Sequence, residues 1–389
     1  MTTVLIISIL LFLGYAVLII YYRQSWLSIP VFSPSTPVEK STTRITVIVP
    51  ARNEEQNIKA CLDSICMQSY PKELFEVIVV DDHSTDKTAA FIDEYAGQNI
   101  KRIALKDFID EPLNAYKKKA IEVAIQQASG TLIVTTDADC IVPVNWLQTI
   151  AAFYENHHPA FIAAPVLINC SNRFIEKFQA LDFMVLQGIT GASVYKKMHS
   201  MCNGANLAYE KAAFDEAGGF KGIDNIASGD DMLLMHKIYK QYPDRVMFLR
   251  SKEVIVQTQP VKSIGEFFAQ RIRWASKAGN YDDKRIFLVL LLVYLLNVLL
   301  LLLPIIAFFD HRKLLIINYQ LSIIEYWLIL LILKTIIELF FLYPVSKFFG
   351  KQNMLRIFPL MQPFHILYTV IAGFLGMFGK YNWKGRKVK

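Results

Sequence analysis

The stretch TLIVTTDADCIVP, residues 131–143, runs through apolar and β-branched residues and then sets Asp137 and Asp139 one residue apart. In an extended chain, residues i and i+2 point to the same side. The two acids could then share one hard cation, Mg²⁺ or Mn²⁺, that fills its remaining positions from substrate phosphates. Such a cation would neutralise a diphosphate and stabilise it as a leaving group. The competing reading is a plain turn after a strand, since Asp favours turns and caps. Taken alone, the stretch favours the turn.

Other stretches carry comparable chemistry. VVDDHSTD places Asp81 and Asp82 after a second apolar run, where a carboxylate accepts from a ribose hydroxyl or a base N–H, or simply caps a helix. ASGDDMLLMHKI puts Asp230 and Asp231 before a helical pattern. They cap that helix, or one of them is a general base that takes the proton of an attacking hydroxyl, an effect of roughly 10²–10⁴ in rate. CNGANLAYEKAAFDEAGGF holds Gly204, Gly218 and Gly219, which suit turns and a helix C-cap. EFFAQRIRWASKAGNY is amphipathic and basic, and Gln270, Arg273 and Trp274 share one helical face that could close over phosphates and a sugar. The same segment also reads as an interfacial helix, with Arg271 and Arg273 snorkelling while Phe267, Phe268 and Trp274 enter the headgroup layer.

The elements that must position these groups alternate. Apolar runs at Ile45–Val49 (closed by Pro50), Phe75–Val80, NIKRIAL, TLIVTT and FIAAPVLI are separated by helical patterns. The helix NAYKKKAIEVAIQQASG is expected to stop at Gly130. Nearly continuous apolar strands between helices predict an α/β parallel sheet covered on both faces. Ligands in such folds bind beyond the carboxyl ends of the strands, so Asn53–Glu54, Asp81–Asp82 and Asp137–Asp139 are expected in one crevice.

Hydrophobic residues make up 53% of the 389 and charged residues only 19%, too apolar for an ordinary soluble enzyme. The excess sits in blocks at 4–22, 286–309, 321–343 and 357–378, each long enough to cross a bilayer. The last is broken by Pro359, Gln362, Pro363 and His365 and is expected to be re-entrant or interfacial. Lys334 and Glu338, spaced i, i+4 inside a block, are expected to pair with each other rather than with a lipid. The first block lacks a basic n-region and reads as an anchor, with Arg23 on its cytoplasmic flank. The expected order is an N-terminal transmembrane helix (1–24), a water-soluble domain (40–260), an amphipathic segment (261–284), a C-terminal transmembrane region (285–380) and a basic tail (381–389). The water-soluble domain and tail are placed in the cytoplasm of a multi-pass protein of the inner or plasma membrane. Five cysteines without a CxxC pair argue against a zinc site or a disulfide framework.

The ordered set VIVPARNE, VVDDHSTD, TTDADC, NGANLAYEKAAFDEAGGF, GDD and QRIRW resembles a membrane-bound family 2 glycosyltransferase of the GT-A fold, a Rossmann-like nucleotide-diphospho-sugar transferase. Cellulose synthases, hyaluronan synthases and ceramide glucosyltransferases are relatives. The resemblance covers about residues 44–280. It implies that Pro50, Arg52, Asn53 and Glu54 line a nucleoside pocket and that Asp81 and Asp82 contact uridine or ribose. Lys117 matches the family lysine, with Lys118 and Lys119 open as alternatives. Asp137 and Asp139 match the DxD, with Asp139 as the direct metal ligand. Asp231 matches the catalytic base; relatives often have Glu-Asp where this chain has Asp230-Asp231, so Asp230 stays a second candidate. Gly204, Asn206, Gln270 and Trp274 fall on the acceptor side, and Arg273 beside the donor diphosphate.

The function implied is inverting transfer of a sugar from a nucleotide-sugar, a UDP-sugar by preference, to a membrane-associated lipid or growing glycan. The expected cofactor is Mg²⁺ or Mn²⁺, and no nucleic-acid partner is expected. A processive polysaccharide synthase is the near alternative, disfavoured because so few late hydrophobic blocks make a poor channel. A non-catalytic membrane protein that keeps the nucleotide-sugar fold is the alternative of another class. A nucleotidyltransferase, which releases pyrophosphate, is a further one.

Overall fold

The computed structural model describes residues 2–34, 41–109, 113–198, 201–226, 228–277, 283–310, 313–316, 319–378, 381–383 and 386–388. In chain order the principal elements are α1 (Thr2–Ser28), β1 (Ile45–Ala51), α2 (Ile58–Cys66), β2 (Phe75–Asp81), α3 (Thr88–Asp93), β3 (Ile100–Ala104), α4 (Tyr116–Gln127), β4 (Leu132–Thr135), α5 (Trp146–His157), β5 (Phe161–Ala163), β6 (Val166–Ile168), α6 (Phe174–Tyr195), β7 (Leu207–Glu210), α7 (Lys211–Glu216), α8 (Met232–Gln241), β8 (Val246–Phe248), β9 (Val256–Thr258), α9 (Ile264–Ala275), α10 (Lys284–Phe309), α11 (Ile323–Phe349) and α12 (Phe358–Gly376). They form two compact units, one of Ile29–Cys170, Ile189–Pro260 and Val388–Lys389, the other of Met1–Ser28, Ser171–Gly188 and Val261–Lys387.

The first unit is built on a seven-stranded sheet in the order β3-β2-β1-β4-β7-β5-β8. β3, β2, β1 and β4 run parallel, as the alternation of strands and helices predicts. Every residue of β4 is buried, and β1 is exposed only partly at Pro50. β1 continues through Pro50 to Ala51, one step past the expected boundary. The proline is tolerated in an interior strand because β4 pairs only with Ile45–Ile48, so no ladder bond is needed from position 50 on that side.

Three expectations are corrected here. The sheet is mixed, not parallel: β7 runs antiparallel to both β4 and β5. The run FIAAPVLI is not one strand. It breaks at Ala164–Pro165 into β5, which joins the main sheet, and β6, which pairs with β9 in a separate two-stranded sheet. Gly130 does not cap α4, which ends at Gln127. It lets the backbone pass β1, since a Cβ there would sit 2.4 Å from the Thr46 amide nitrogen.

Among the described residues, the other unit contains four helices long and apolar enough to cross a membrane by length and composition: Thr3–Ser28, Lys284–Phe309, Ile323–Phe349 and Gln352–Gly376. Within the fourth, α12 is helical through both prolines: Pro359 occupies its first turn, where no amide is missed, and Pro363 lies inside it. Lys334 and Glu338 pair at 2.7 Å, as the spacing predicts. Gln362 closes the triangle, accepting from Lys334 at 2.8 Å and donating to Glu338 at 2.5 Å, while the Tyr15 hydroxyl also donates to Glu338. A charge in an apolar helix is tolerated when its partners are built in.

In the same unit α9 opens with a full capping box, Ser263 with Glu266. Arg271 does not snorkel. It is 4% exposed and pairs with Asp182 of α6 at 2.8 Å, with its guanidinium 4.2 Å from the Trp274 ring and 4.7 Å from that of Phe267. Tyr368 of α12 donates to the other Asp182 oxygen. Phe267 is buried too, at 2% exposure, so the predicted headgroup anchor is a packing residue. Residues 278–282, at the end of the amphipathic segment, and much of the basic tail lie outside the described residues.

Candidate functional site

The parallel register brings the loops after β1, β2 and β4 to one edge of the sheet, with Ala51 opposite Asp81 and Ile48 opposite Thr135. Because β7 is antiparallel, its start lies at that same edge: Leu207 pairs with Thr135. The segment Asn203–Asn206 therefore arrives beside the DxD, and Thr135 Oγ1 donates to the Gly204 carbonyl at 3.1 Å.

Asp137 and Asp139 are not in an extended stretch. β4 stops at Thr135 and a turn follows, with the Cys140 amide donating to the Asp137 carbonyl at 3.1 Å. The same-side argument from strand geometry therefore does not apply, and the acids owe their placement to the turn. Two buried thiols back it. Cys61 Sγ donates to the Asp137 carbonyl at 3.7 Å and Cys140 Sγ to Asp139 Oδ1 at 3.6 Å. Burial, and then the two carboxylates, push both thiols above the ordinary cysteine range.

Lys117, in the first turn of α4, ties the site together. Its ammonium lies 2.7 Å from Asp137 Oδ1 and 3.1 Å from Asp230 Oδ2. Burial opposes the charge, but Asp137, Asp230 and Asp231 outweigh it and hold Lys117 above the ordinary lysine value. Asp231 is the N-cap of α8: Oδ1 accepts from the Met232 amide at 2.7 Å and Oδ2 from the Gly204 amide at 3.3 Å. Gly204 is needed for close approach, since a Cβ there would lie 3.1 Å from Asp230 Oδ2 and 3.2 Å from Lys117 Nζ. Lys117, Asp137, Gly204, Asp230 and Asp231 thus form one cluster.

The three consecutive lysines, which the sequence leaves interchangeable, have three different roles. Lys117 faces the acids. Lys118 is 2% exposed and donates to the carbonyls of Ile223, Ile226 and Ser228 at 2.7, 2.6 and 3.0 Å. Lys119 pairs with Glu122 at 2.9 Å. Lys118 lies on the apolar stripe it shares with Ile121 and Ile125, and that periodicity was the signal in the sequence that it points inward.

Several residues expected to touch ligand are spent on bracing. Asn206 is fully buried: Nδ2 donates to the carbonyls of Pro165 (2.8 Å) and Val254 (2.7 Å), and Oδ1 accepts from Trp146 Nε1 at 2.9 Å. With these bonds made inside the protein, Asn206 holds the β7 entry to the β5–β6 break instead of reaching an acceptor. Arg52 Nη1 donates to the Asp82 carbonyl at 2.8 Å and lies 3.8 Å from its carboxylate. Asn53, at φ +51°, gives its backbone amide to Ser84 Oγ and takes the Thr85 amide on its side-chain oxygen at 2.8 Å. The Glu54 amide donates to Thr88 Oγ1 at 2.7 Å, and its carboxylate accepts from Asn57. These bonds lace the loop after β1 to the loop after β2. Between them lie Pro50, half-buried, and the residues Asp81 and Asp82, 9% and 3% exposed. Asp81 Oδ1 accepts from the Ser84 amide at 3.1 Å, and His83 Nδ1 lies 3.0 Å from Asp82 Oδ1. Gln270, Arg273 and Trp274 belong to the other unit, where all three are partly exposed on α9.

Among the described residues no three His, Cys, Asp or Glu side chains gather as a metal-holding group. A cation at the DxD would therefore take at most the two carboxylates from that set, which fits Mg²⁺ or Mn²⁺ completed by water and phosphate and does not fit a structural zinc site.

Residues 46–218 match the family model for glycosyl transferase family 2. The chain is 36% identical over 116 residues to the poly(ribitol-phosphate) beta-N-acetylglucosaminyltransferase TarS of Staphylococcus aureus, a match of 30% of this chain and 19% of TarS. It is 33% identical over 233 residues to glycosyltransferase AglE of Haloferax volcanii, covering 59% of this chain and 71% of AglE. The solved mannosyltransferase of Pyrobaculum calidifontis, in complex with GDP-Man and Mn²⁺, superposes with a TM-score of 0.59 at 20% identity, over 93% of this chain and 99% of that one. At that identity the likeness establishes the GT-A fold. With the matched domain and the coverage of AglE, it follows that the chain belongs to glycosyl transferase family 2.

Proposed function

We propose that the chain transfers a hexose, with inversion, from a nucleoside-diphosphate sugar to a hydroxyl of a membrane-associated acceptor, a lipid or a growing glycan. The observation that carries the reading is the bridge made by Lys117, 2.7 Å from Asp137 and 3.1 Å from Asp230. A displacement at an anomeric carbon needs leaving-group stabilisation and a base in one place. Here the acid on the donor side and the acid pair on the acceptor side lie within reach of a single ammonium.

Asp231 is the proposed base. Two backbone amides orient its carboxylate, so it is aimed before substrate arrives. It takes the proton of the acceptor hydroxyl as that oxygen attacks the anomeric carbon, and the bond from that carbon to the diphosphate oxygen breaks. The departing charge is met by Lys117. Asp139, with Asp137, would hold the divalent cation, which when bound neutralises the diphosphate. Asp81, Asp82 and Pro50 are assigned to the nucleoside; Arg52, Asn53 and Glu54 keep that pocket in shape. Gln270, Arg273 and Trp274 are assigned to diphosphate and acceptor on the family pattern alone. The Pyrobaculum relative was solved with GDP-Man and Mn²⁺ and TarS is named for N-acetylglucosamine, so the class of donor is supported while its sugar and base stay open; a UDP-sugar is the first donor to try.

The four apolar helices support a multi-pass membrane protein, and Arg23 on the C-terminal flank of the first supports a cytoplasmic catalytic unit. The test is a screen of nucleotide sugars against the purified membrane fraction, with products identified by mass. Transfer of a hexose to a lipid or glycan is expected. Neither transfer nor donor hydrolysis with any sugar would favour a binding protein and end the enzymatic reading.

A further inference from the structure

Asp230 and Asp231 are reached by an irregular segment. After α7 the chain makes successive turns from Gly218 onward, and among the described residues there is no regular element until α8 begins at Met232. A loop of this kind does not hold a carboxylate to a few tenths of an ångström by itself, yet the base must be held that closely for transfer. Lys237 of α8 donates to the carbonyls of Gly218, Gly219 and Lys221 at the start of the loop, and Lys118 enters it nearer the acids. It is 2% exposed, and its ammonium donates to three carbonyls of the segment, Ile223, Ile226 and Ser228. An ammonium has three N–H donors, and all three have a carbonyl within hydrogen-bond distance.

Lys118 follows Lys117 on α4, so one turn of helix holds the acid pair from two sides. Lys117 grips the Asp230 side chain, and Lys118 grips the backbone that leads to it. The segment is largely exposed from 221 to 226, and the Ile223 carbonyl also accepts from the Ile226 amide at 3.2 Å, so there the buried ammonium adds a second bond and ties the turn to α4. From this we infer that Lys118 is a positioning residue for the transfer reaction: it latches the 223–228 segment to α4 and so sets where Asp230 and Asp231 stand against Lys117 and Gly204. It does not touch substrate and acts only through those acids. The inference rests on the proposed function for its kinetic consequence, but not for the latch itself.

The test uses the full-length protein in membranes or detergent, with Lys118→Met, which keeps the length and apolar stem but removes the donors. Lys119→Met is the control, because Lys119 pairs only with Glu122 of its own helix among the contacts described. Two readouts are taken. Amide hydrogen exchange is followed at 220–232 and, for comparison, at β1, β4 and the body of α4. Transfer is followed as kcat and as KM for the donor. The expected result is at least tenfold faster exchange confined to 220–232, with kcat down by about 10- to 100-fold and donor KM within about threefold of wild type. A merely structural lysine would lower the yield of folded protein, or speed exchange across the whole sheet, and leave kcat per folded molecule unchanged. That outcome overturns the proposal, as does unchanged exchange at 220–232. Should Lys118→Met fail to fold, Lys118→Arg retains donors in a bulkier head, and the same local exchange and kcat loss are expected from its misfit; wild-type behaviour in that variant counts against the latch. Because exchange needs no turnover, the two readings fail separately. Local opening in a protein that transfers no sugar would overturn the enzymatic reading and leave the latch standing.

Discussion

Gly204→Ala separates placement of the Lys117–Asp230 pair from stability. No left-handed backbone is required at this glycine, so alanine meets no conformational penalty, and the shorter list of unfolded conformations stabilises the variant by roughly 0.4–1 kcal/mol. Against this, the new methyl would stand 3.1 Å from Asp230 Oδ2 and 3.2 Å from Lys117 Nζ, closer than carbon and a polar atom normally rest. Both are ends of side chains and can yield. Moving the pair apart by ~0.5 Å forfeits roughly 0.7 kcal/mol at an effective dielectric constant of about 20. The two terms nearly cancel, so the melting temperature is expected within about 3 °C of wild type. Activity does not share the cancellation. Misplacement by 1 Å costs on the order of 10²-fold, so a shift of a few tenths is expected to lower kcat about 5- to 10-fold. The assay is initial-rate transfer at saturating donor, with thermal unfolding of the same preparation. A variant with kcat within about twofold of wild type and an unchanged melting temperature would refute the argument that the glycine is there for close approach to the Lys117–Asp230 pair.

Other outcomes follow from the same structure. Asp231→Asn is expected to lower transfer by roughly 10²–10⁴-fold while donor binding survives; near-normal turnover would move the base to Asp230 or elsewhere. Asp139→Asn should weaken donor binding in the presence of Mg²⁺ or Mn²⁺, and full activity in chelator would remove the metal from the reaction. In the apolar unit, Arg271→Met alone leaves Asp182 buried without its cation and should cost roughly 3–5 kcal/mol, whereas Arg271→Met with Asp182→Leu should recover most of it; thermal unfolding reads these and Asp182→Leu alone, and a double-variant loss equal to the sum of the single losses would mean that the pair is not coupled. Glu155 accepts from the hydroxyls of Ser41 and Thr43 and from the amides of Thr42 and Thr43. Burial raises its pKa, but these bonds together overcome it and hold the carboxyl below the usual glutamate range. Its contribution is therefore present above the unfolded glutamate pKa and lost as pH falls through the folded value. The drop in melting temperature from pH 6 to pH 3.5 should be smaller in Glu155→Gln than in wild type, and an identical drop would refute the linkage.

The chemistry of this protein is largely written in one dimension. Asp81–Asp82, Asp137–Asp139 and Asp230–Asp231 each follow or precede a recognisable element, and buried parallel strands announce themselves as unbroken apolar runs because both faces are covered. The four long apolar helices are legible for the same reason, as length and hydropathy are local properties. What the tertiary structure alone decided is how side chains far apart in sequence share space. The antiparallel course of β7 depends on which neighbour completes β4, and no periodicity records strand direction; yet it is what brings Gly204 to the acids. Which lysine of three meets Asp137 and Asp230 depends on the rotation of α4 against the sheet. Whether Arg271 or Arg273 is buried depends on a carboxylate 89 positions earlier, at Asp182. The family pattern puts Asn206 on the acceptor side, and only the three-dimensional fold shows Trp146, Pro165 and Val254 using its bonds. Burial and pairing are set by distant partners, so residue types can nominate a site, but only packing assigns each residue to contact or to support.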